Sequence, residues 1–368
     1  MNSNAYNEEL KRAASQMIAD DGFIIAQYPK IINGDGIASL AALPFLSLYC
    51  HEANECLGGN IIEFSKESTV KDLRNGLKLS GERFNKALAA ISSIDDEQDR
   101  VFRGKSIFKW LLLVGSIKYN NLGVYVSPDN RIVFNTHLGG YYLRKTNLGI
   151  EEQSQKAFQI GYILGSSAVT LYSHSIVFQK HFETVTTSVG KYGYIDFNTN
   201  SKDKPFSVLR EKDLALYLLY LTSMIGAHQF FFKDCFPANS SWRFRQTYIM
   251  GHFVWQGLHI ILKHYSAKGV ASELNLSELE TIVNDGRYLF PSKLRNCMMH
   301  YGFIDRKGPV IDENKYNPDI LLFGLIETIY DEMDAITYME KLNQYFDEAG
   351  RYLNKLFNID KTKVKWDL

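Results

Sequence analysis

Residues 214–232 read LALYLLYLTSMIGAHQFFF, an apolar run that approaches the length of a membrane span. A segment this hydrophobic must lie in lipid or be walled in by the rest of the fold. Thr222, Ser223, His228 and Gln229 interrupt it, and the amphipathic run 248–262 offers a partner, so the expectation is a buried bundle helix and no membrane contact. Aromatic residues are 13% of the chain, with 22 Tyr and 23 Phe, which suits a well-packed globular protein with any disorder confined to the ends.

Periodicity predicts a mainly α protein. Residues 1–30 look like an amphipathic helix with an exit at Tyr28-Pro29, since proline disfavours helix in the residue before it. Further helices are expected over 35–56, 69–92, 99–118, with Phe102, Ile107, Trp110 and Leu111 inward, and from about 153 to 182. Between them GVYV-SPDN-RIVF reads as a β-hairpin around a Pro-Asp-Asn turn, and VTTSVGKYGYIDFNTN as a second short hairpin or loop pair. The polar stretch 198–204 is the expected boundary between a region 1–200 and a region 205–368. A chain of 368 residues is long enough for two domains or for one domain with an insertion. Beyond it helices are expected over 211–232, 242–268, 276–289, from about Ser292, and over 319–357 with one or two breaks.

Charge excludes a whole-molecule attraction to nucleic acid or anionic lipid, because Lys+Arg and Asp+Glu each total 41. Any nucleic-acid contact must be local. Arg243 and Arg245 beside Trp242 and Phe244 form a basic-aromatic cluster that could hold a phosphate and stack a base, although solvated arginines at a helix start read as well. Cys50, Cys56, Cys235 and Cys297 lack CxxC spacing, and no signal peptide is recognisable, which points to reduced thiols in the cytoplasm. Cys50-His51-Glu52-x-x-Glu55-Cys56 gathers metal-ligand types, but Glu55 stands where a HExxH zinc site needs its second histidine. His252 and His259 are seven apart, too far for one ion without a third ligand. Asn33-Gly34-Asp35-Gly36 and His137-Leu138-Gly139-Gly140 are turn chemistry without the lysine and hydroxyl of a P-loop, and no Gly-x-Ser-x-Gly elbow is present. No cofactor is expected.

The sharpest functional lead is Arg295-Asn296-Cys297-Met298-Met299-His300-Tyr301. Pro291 and Ser292 suit a helix start, with Ser292 as cap, and Gly302 suits its stop. A permanently charged guanidinium can offset developing phosphate charge, while an imidazole titrating near neutrality can move protons; together they suit phosphodiester cleavage without a metal. On a helix Asn296 and His300 share a face, and Arg295 sits about 140° around from His300. Two copies meeting about a twofold axis would pool two arginines and two histidines in one cleft.

Arg295-Asn296-x-x-x-His300, preceded by Leu294 in an all-helical carboxy-terminal half, resembles the Arg-x4-6-His signature of the HEPN superfamily, in which a polar residue, frequently Asn, follows the arginine. The resemblance implies a HEPN-like helical bundle over about 205–368, after a helical region with hairpins that senses, binds a partner or restrains activity. It implies a homodimeric, metal-independent RNA endonuclease of the kind used in toxin and phage-defence systems, with an antitoxin or sensor protein as partner. His300 would be the general acid or base, Arg295 would stabilise the pentacoordinate phosphorus, and Asn296 would hold the site. Cleavage by the RNA's own 2′-hydroxyl would leave a 2′,3′-cyclic phosphate and a 5′-hydroxyl, and DNA would be inert. Some members carry a modifiable tyrosine two positions after the histidine; here Tyr301 follows directly and Gly302 takes that place, so Tyr301 is expected to pack in the bundle with its hydroxyl at the surface. Two alternatives stand beside this: a noncatalytic HEPN-like dimerisation or nucleic-acid-binding adaptor, and a helical effector whose 214–232 segment inserts into membranes.

Overall fold

The computed structural model describes residues 3–32, 34–102, 120–143, 150–175, 190–200, 209–268 and 274–366. Asp35 caps the second helix by accepting from the Ala38 amide at 2.8 Å, Asn275 caps the ninth from Glu278, and Asp334 the twelfth from Thr337. The first two caps set helix starts where the sequence pattern places them, while the twelfth helix begins at Ala335, well inside the run expected over 319–357. The helices are α1 (Ser3–Ile31), α2 (Gly36–Cys56), α3 (Phe64–Arg74), α4 (Phe84–Phe102), α5 (Thr136–Leu143), α6 (Ile150–Ser175), α7 (Lys212–Ala227), α8 (Ser241–Lys268), α9 (Leu276–Leu289), α10 (Ser292–His300), α11 (Leu325–Ile329) and α12 (Ala335–Asn354). The fold is mainly α, with short antiparallel strands.

Several boundaries differ from the periodic pattern for local reasons. The helix expected over 69–92 is broken: α3 passes into a tight 3₁₀ run, Asn75–Gly81, whose Asn-Gly and Ser-Gly pairs are poor α-formers. The helix α1 runs past Pro29 to Ile31. The expected turn at His137-Leu138-Gly139-Gly140 is helical instead, because the Asn135 side chain accepts from the Leu138 amide at 2.8 Å and starts α5 despite the glycines. Most of the helix expected over 99–118 lies outside the described residues, as does the end of the one expected to 182.

β1 (Leu122–Val126) and β2 (Ile132–Asn135) form the expected hairpin, with Asn130 at φ 65° in its turn. Of the second expected hairpin, residues 185–189 lie outside the described residues, and the rest supplies β3 (Gly193–Phe197). It pairs antiparallel with β1, Leu122 opposite Phe197, to give the order β2-β1-β3, and Tyr194 exchanges two 2.8 Å backbone hydrogen bonds with Lys365. A second, two-stranded ribbon joins β4 (Ile304–Asp305) to β5 (Gly308–Pro309).

The apolar run is held by protein. Residues Lys212–Phe232 are long and apolar enough to cross a membrane, yet 89% of that window is buried within the fold. The helix α7 lies across β2, and Gly226 permits the approach: a Cβ there would stand 1.9 Å from the Ile132 carbonyl oxygen. The helix continues through one π turn, His228–Phe232, where the buried His228 ring packs 4.1 Å from Phe346 of α12 and not toward the Arg-Asn-His motif. The stretch 201–208 lies outside the described residues. One hydrophobic core extends from Tyr6 and Leu10 through Leu221 to Leu353, so residues on both sides of that stretch share it.

Candidate active site

Three helices meet at the motif. The helix α10 starts with the Arg295 amide donating to the Pro291 carbonyl at 3.1 Å, which puts Pro291 at the cap position and Ser292 inside the first turn, without a side-chain cap. Leu294, Cys297 and Met298 are buried along its inner face and hold it against the core. Arg295, Asn296 and His300 occupy the outer part of its circumference.

The helix is stopped by Tyr301, not Gly302. Tyr301 adopts φ 52°, the left-handed region that side chains with a Cβ rarely enter, and it is fully buried. Its surroundings hold it there. Its hydroxyl donates to Asp21 Oδ2 at 2.6 Å, and the Arg245 guanidinium lies 3.6 Å over its ring. Arg245 also reaches Asp21 Oδ2 through Nη1 at 2.5 Å and the Met298 carbonyl through Nε at 2.9 Å, and Ser241 donates to the other Asp21 oxygen at 2.5 Å. Burial opposes an ionised Asp21, while the guanidinium and two hydroxyls favour it. The expected surface hydroxyl of Tyr301 is therefore a buried one, and the knot ties α1 and α8 to the end of α10.

This removes Arg245 from the RNA-contact set. Its side chain is 0% exposed and its charge is spent on Asp21. Trp242 and Phe244 are buried as well, against Tyr49 and Tyr338, so neither face is open to a base. Arg243 is half-buried, with Nη1 donating to the Phe236 carbonyl at 3.3 Å, and it lines a largely apolar cavity of about 490 Å³ with Leu321, Ile336 and Met339.

His300 has a partner that the sequence does not suggest. Its Nδ1 lies 2.7 Å from Glu52 Oε2 on α2, and the other oxygen of Glu52 accepts from Arg74 Nη1 at 2.7 Å. The His300 side chain is 55% exposed, whereas that of Glu52 is 6% exposed. Burial would raise the Glu52 carboxyl, but the hydrogen bonds from His300 and Arg74 and the charges of His300 and His51 outweigh it and hold the group below its usual value. A carboxylate on Nδ1 requires a proton there, which leaves Nε2 with a free lone pair when the ring is neutral. His300 is thus oriented from within, with Nε2 available to solvent.

Within one chain Arg295 does not join this pair. Its Nη2 and Nε both donate to Asn296 Oδ1, at 2.8 and 3.2 Å. Its charge is felt by His252 of α8, which burial and then Arg295 push down to about 3. At 100° per residue Asn296 stands about 40° from His300 and 100° from Arg295, so the Arg295 side chain reaches round the helix to Asn296 while His300 turns to α2.

The Cys50-His51-Glu52 cluster has a different role from metal binding. Cys50 is buried, burial pushes the His51 imidazole down, with Arg74 adding to it, and Glu52 is committed to Arg74 and His300. His252 is buried among Tyr248, Trp255 and Phe290. Among the described residues no group of three or more His, Cys, Asp or Glu side chains is placed to hold a metal ion. No known protein family, curated protein or solved structure matches the chain.

Proposed function

We propose that the chain is a metal-independent RNA endonuclease of the HEPN type, acting as a cytoplasmic homodimer in a toxin or phage-defence setting. The observation that carries this reading is the exposed His300 imidazole seated through Nδ1 on the buried, ionised Glu52. A proton-transfer group needs a fixed ring orientation and one nitrogen open to substrate, and this pair supplies both.

The chemistry follows from the groups. Nε2 of His300 takes the proton of a ribose 2′-hydroxyl as that oxygen attacks the adjacent phosphorus. The P–O5′ bond breaks, and the leaving oxygen takes a proton from a second imidazole, His300 of the partner subunit. The products are a 2′,3′-cyclic phosphate and a 5′-hydroxyl. Arg295 offsets the charge that builds on the phosphoryl oxygens, and Asn296 fixes the guanidinium. A twofold contact at α10 brings Arg295 of one chain to His300 of the other, which one chain does not do for itself.

The second reading, a noncatalytic HEPN-like adaptor for dimerisation or nucleic-acid binding, rests on the Arg295 hydrogen bonds to Asn296, which leave the guanidinium turned to its own neighbour. Incubating the purified protein with single-stranded RNA in EDTA decides between them. Cleavage lost in both His300→Ala and Arg295→Ala supports the nuclease. Intact RNA with the wild-type protein supports the adaptor, and cleavage untouched by either substitution removes this site.

A further inference from the structure

Within one chain the guanidinium joined to the His300 site is that of Arg74, not Arg295. Arg74 is the last residue of α3, and its Nη1 donates to Glu52 Oε1 at 2.7 Å, while His300 Nδ1 stands 2.7 Å from Glu52 Oε2. Each side chain thus has its own oxygen of one carboxylate, and the two are held as neighbours across it. Among the described residues Glu52 is the only hydrogen-bond acceptor that Arg74 meets, so most of its donor fork is unspent. Its Nε is buried without a partner, whereas Nη2, also without a protein partner, is open to solvent.

We propose that Arg74 Nη2 and His300 Nε2 of one chain together bind a phosphate group of the substrate strand, so that each chain carries a phosphate-gripping half-site before it meets a partner. The inference rests on the ribonuclease reading for the identity of the ligand and adds to it a residue from another helix. Both nitrogens are the open ends of side chains anchored at their other ends on Glu52. A guanidinium with free N–H groups matches the oxygens of a phosphate in geometry as well as in charge. The carboxylate does not face the ligand: Glu52 is 6% exposed and both its oxygens are occupied, so an anion meets the more exposed imidazole and guanidinium. The nearest basic neighbour on α3, Lys71, is paired with Glu67 and is not needed for the grip. Arg295 of the partner subunit keeps the role given above, at the phosphoryl group that reacts.

The test reads binding and does not need cleavage. Protein carrying isotopically labelled histidine is titrated with inorganic phosphate at constant ionic strength, with chloride as the control, and the His300 ring resonances are followed. The ring should show a proton on Nδ1 at the outset and should shift saturably with phosphate but not with chloride. Arg74→Gln should leave the Nδ1 proton in place and weaken phosphate binding by about tenfold or more. Arg74→Lys, which keeps the charge but not the fork, should lie between the two, and it serves if the glutamine variant does not fold. A single-stranded 2′-deoxy oligonucleotide, which this chemistry cannot cut, should bind with a salt slope smaller by about 0.7 in Arg74→Gln, the share of one phosphate.

The absence of a saturable shift in the wild type, or equal phosphate affinity in Arg74→Gln, would overturn the proposal. So would a proton lost from Nδ1 in Arg74→Gln, because Arg74 would then act only by positioning Glu52. Oligonucleotide binding unchanged in Arg74→Gln would overturn the strand as ligand. Oligonucleotide bound through Arg74 with RNA left uncut would uphold this site and remove the nuclease instead.

Discussion

Glu52 and His300 lie 248 positions apart in the chain and 2.7 Å apart in space. The carboxylate is buried and tied to Arg74, while the imidazole reaches solvent. The carboxylate on Nδ1 fixes the tautomer in which Nε2 moves the proton, and positioned proton transfer typically contributes about 10²–10⁴-fold to a rate. Glu52→Gln, which keeps the shape but not the charge, should therefore remove a large part of that, lowering RNA cleavage by about 10²–10⁴-fold. His300→Ala should abolish it. Initial rates on a short single-stranded RNA give both values, with thermal unfolding run beside them to separate loss of fold from loss of activity.

The Asp21–Arg245 pair should behave as a buried ion pair whose halves cannot be removed singly. Arg245→Met leaves the buried Asp21 carboxyl without its counter-charge and should cost about 3–5 kcal/mol, measured as a shift in the urea midpoint. Tyr301→Phe removes one donor to the same carboxylate and should cost about 1.5–3 kcal/mol. Restoring balance with Asp21→Asn in the Arg245→Met background should recover part of the first loss, because neither partner is then a buried charge.

Acid should destabilise the protein through two buried histidines. Burial pushes His228 and His252 from an ordinary 6.5 down to about 3, with Lys233 and Arg243 adding to the shift at His228 and Arg295 at His252. A depressed histidine stays neutral when folded but protonates when unfolded. The unfolded state therefore binds more protons between pH 6.5 and 3, and stability falls as pH drops through that window. From pH 7.5 to 5.5 the two together should remove about 2–3 kcal/mol, readable as a lower urea midpoint. His252→Phe should reduce that pH dependence by about half.

Gly226→Ala should be far costlier than a surface glycine substitution. The added Cβ meets the Ile132 carbonyl oxygen at 1.9 Å, so α7 must move off β2. A loss of about 3 kcal/mol is expected, whereas Gly161→Ala inside α6, whose Cβ meets nothing within 4 Å, should gain about 0.5–1 kcal/mol.

The helical frame was legible because periodicity and capping are local. The starts of α2 and α9 follow the sequence pattern and are capped by Asp35 and Asn275, the breaks before α12 were not placed by it, and the apolar run 214–232 declared a buried helix through its polar interruptions. What escaped depended on distant partners. The strand β3 pairs with β1 across a long intervening segment, so its sequence looked like half of a hairpin. Glu52 looked like an acidic member of a failed zinc motif, since nothing near it in sequence announces Arg74 or His300. Arg245 looked like a surface cation because its counter-charge, Asp21, lies on another helix. Nothing in its neighbours marks Tyr301 as a left-handed position, yet its backbone is what ends α10 beside His300.

The most direct test of the central claim uses two RNAs, identical except that one carries a 2′-deoxyribose at the nucleotide that supplies the attacking hydroxyl, incubated with the wild-type protein in EDTA. Cleavage of the all-ribose strand to 2′,3′-cyclic phosphate ends, with the deoxy strand intact at that position and His300→Ala inactive on both, is the predicted result. Equal cleavage of the two strands, or 3′-hydroxyl ends in place of cyclic phosphate, would contradict the account.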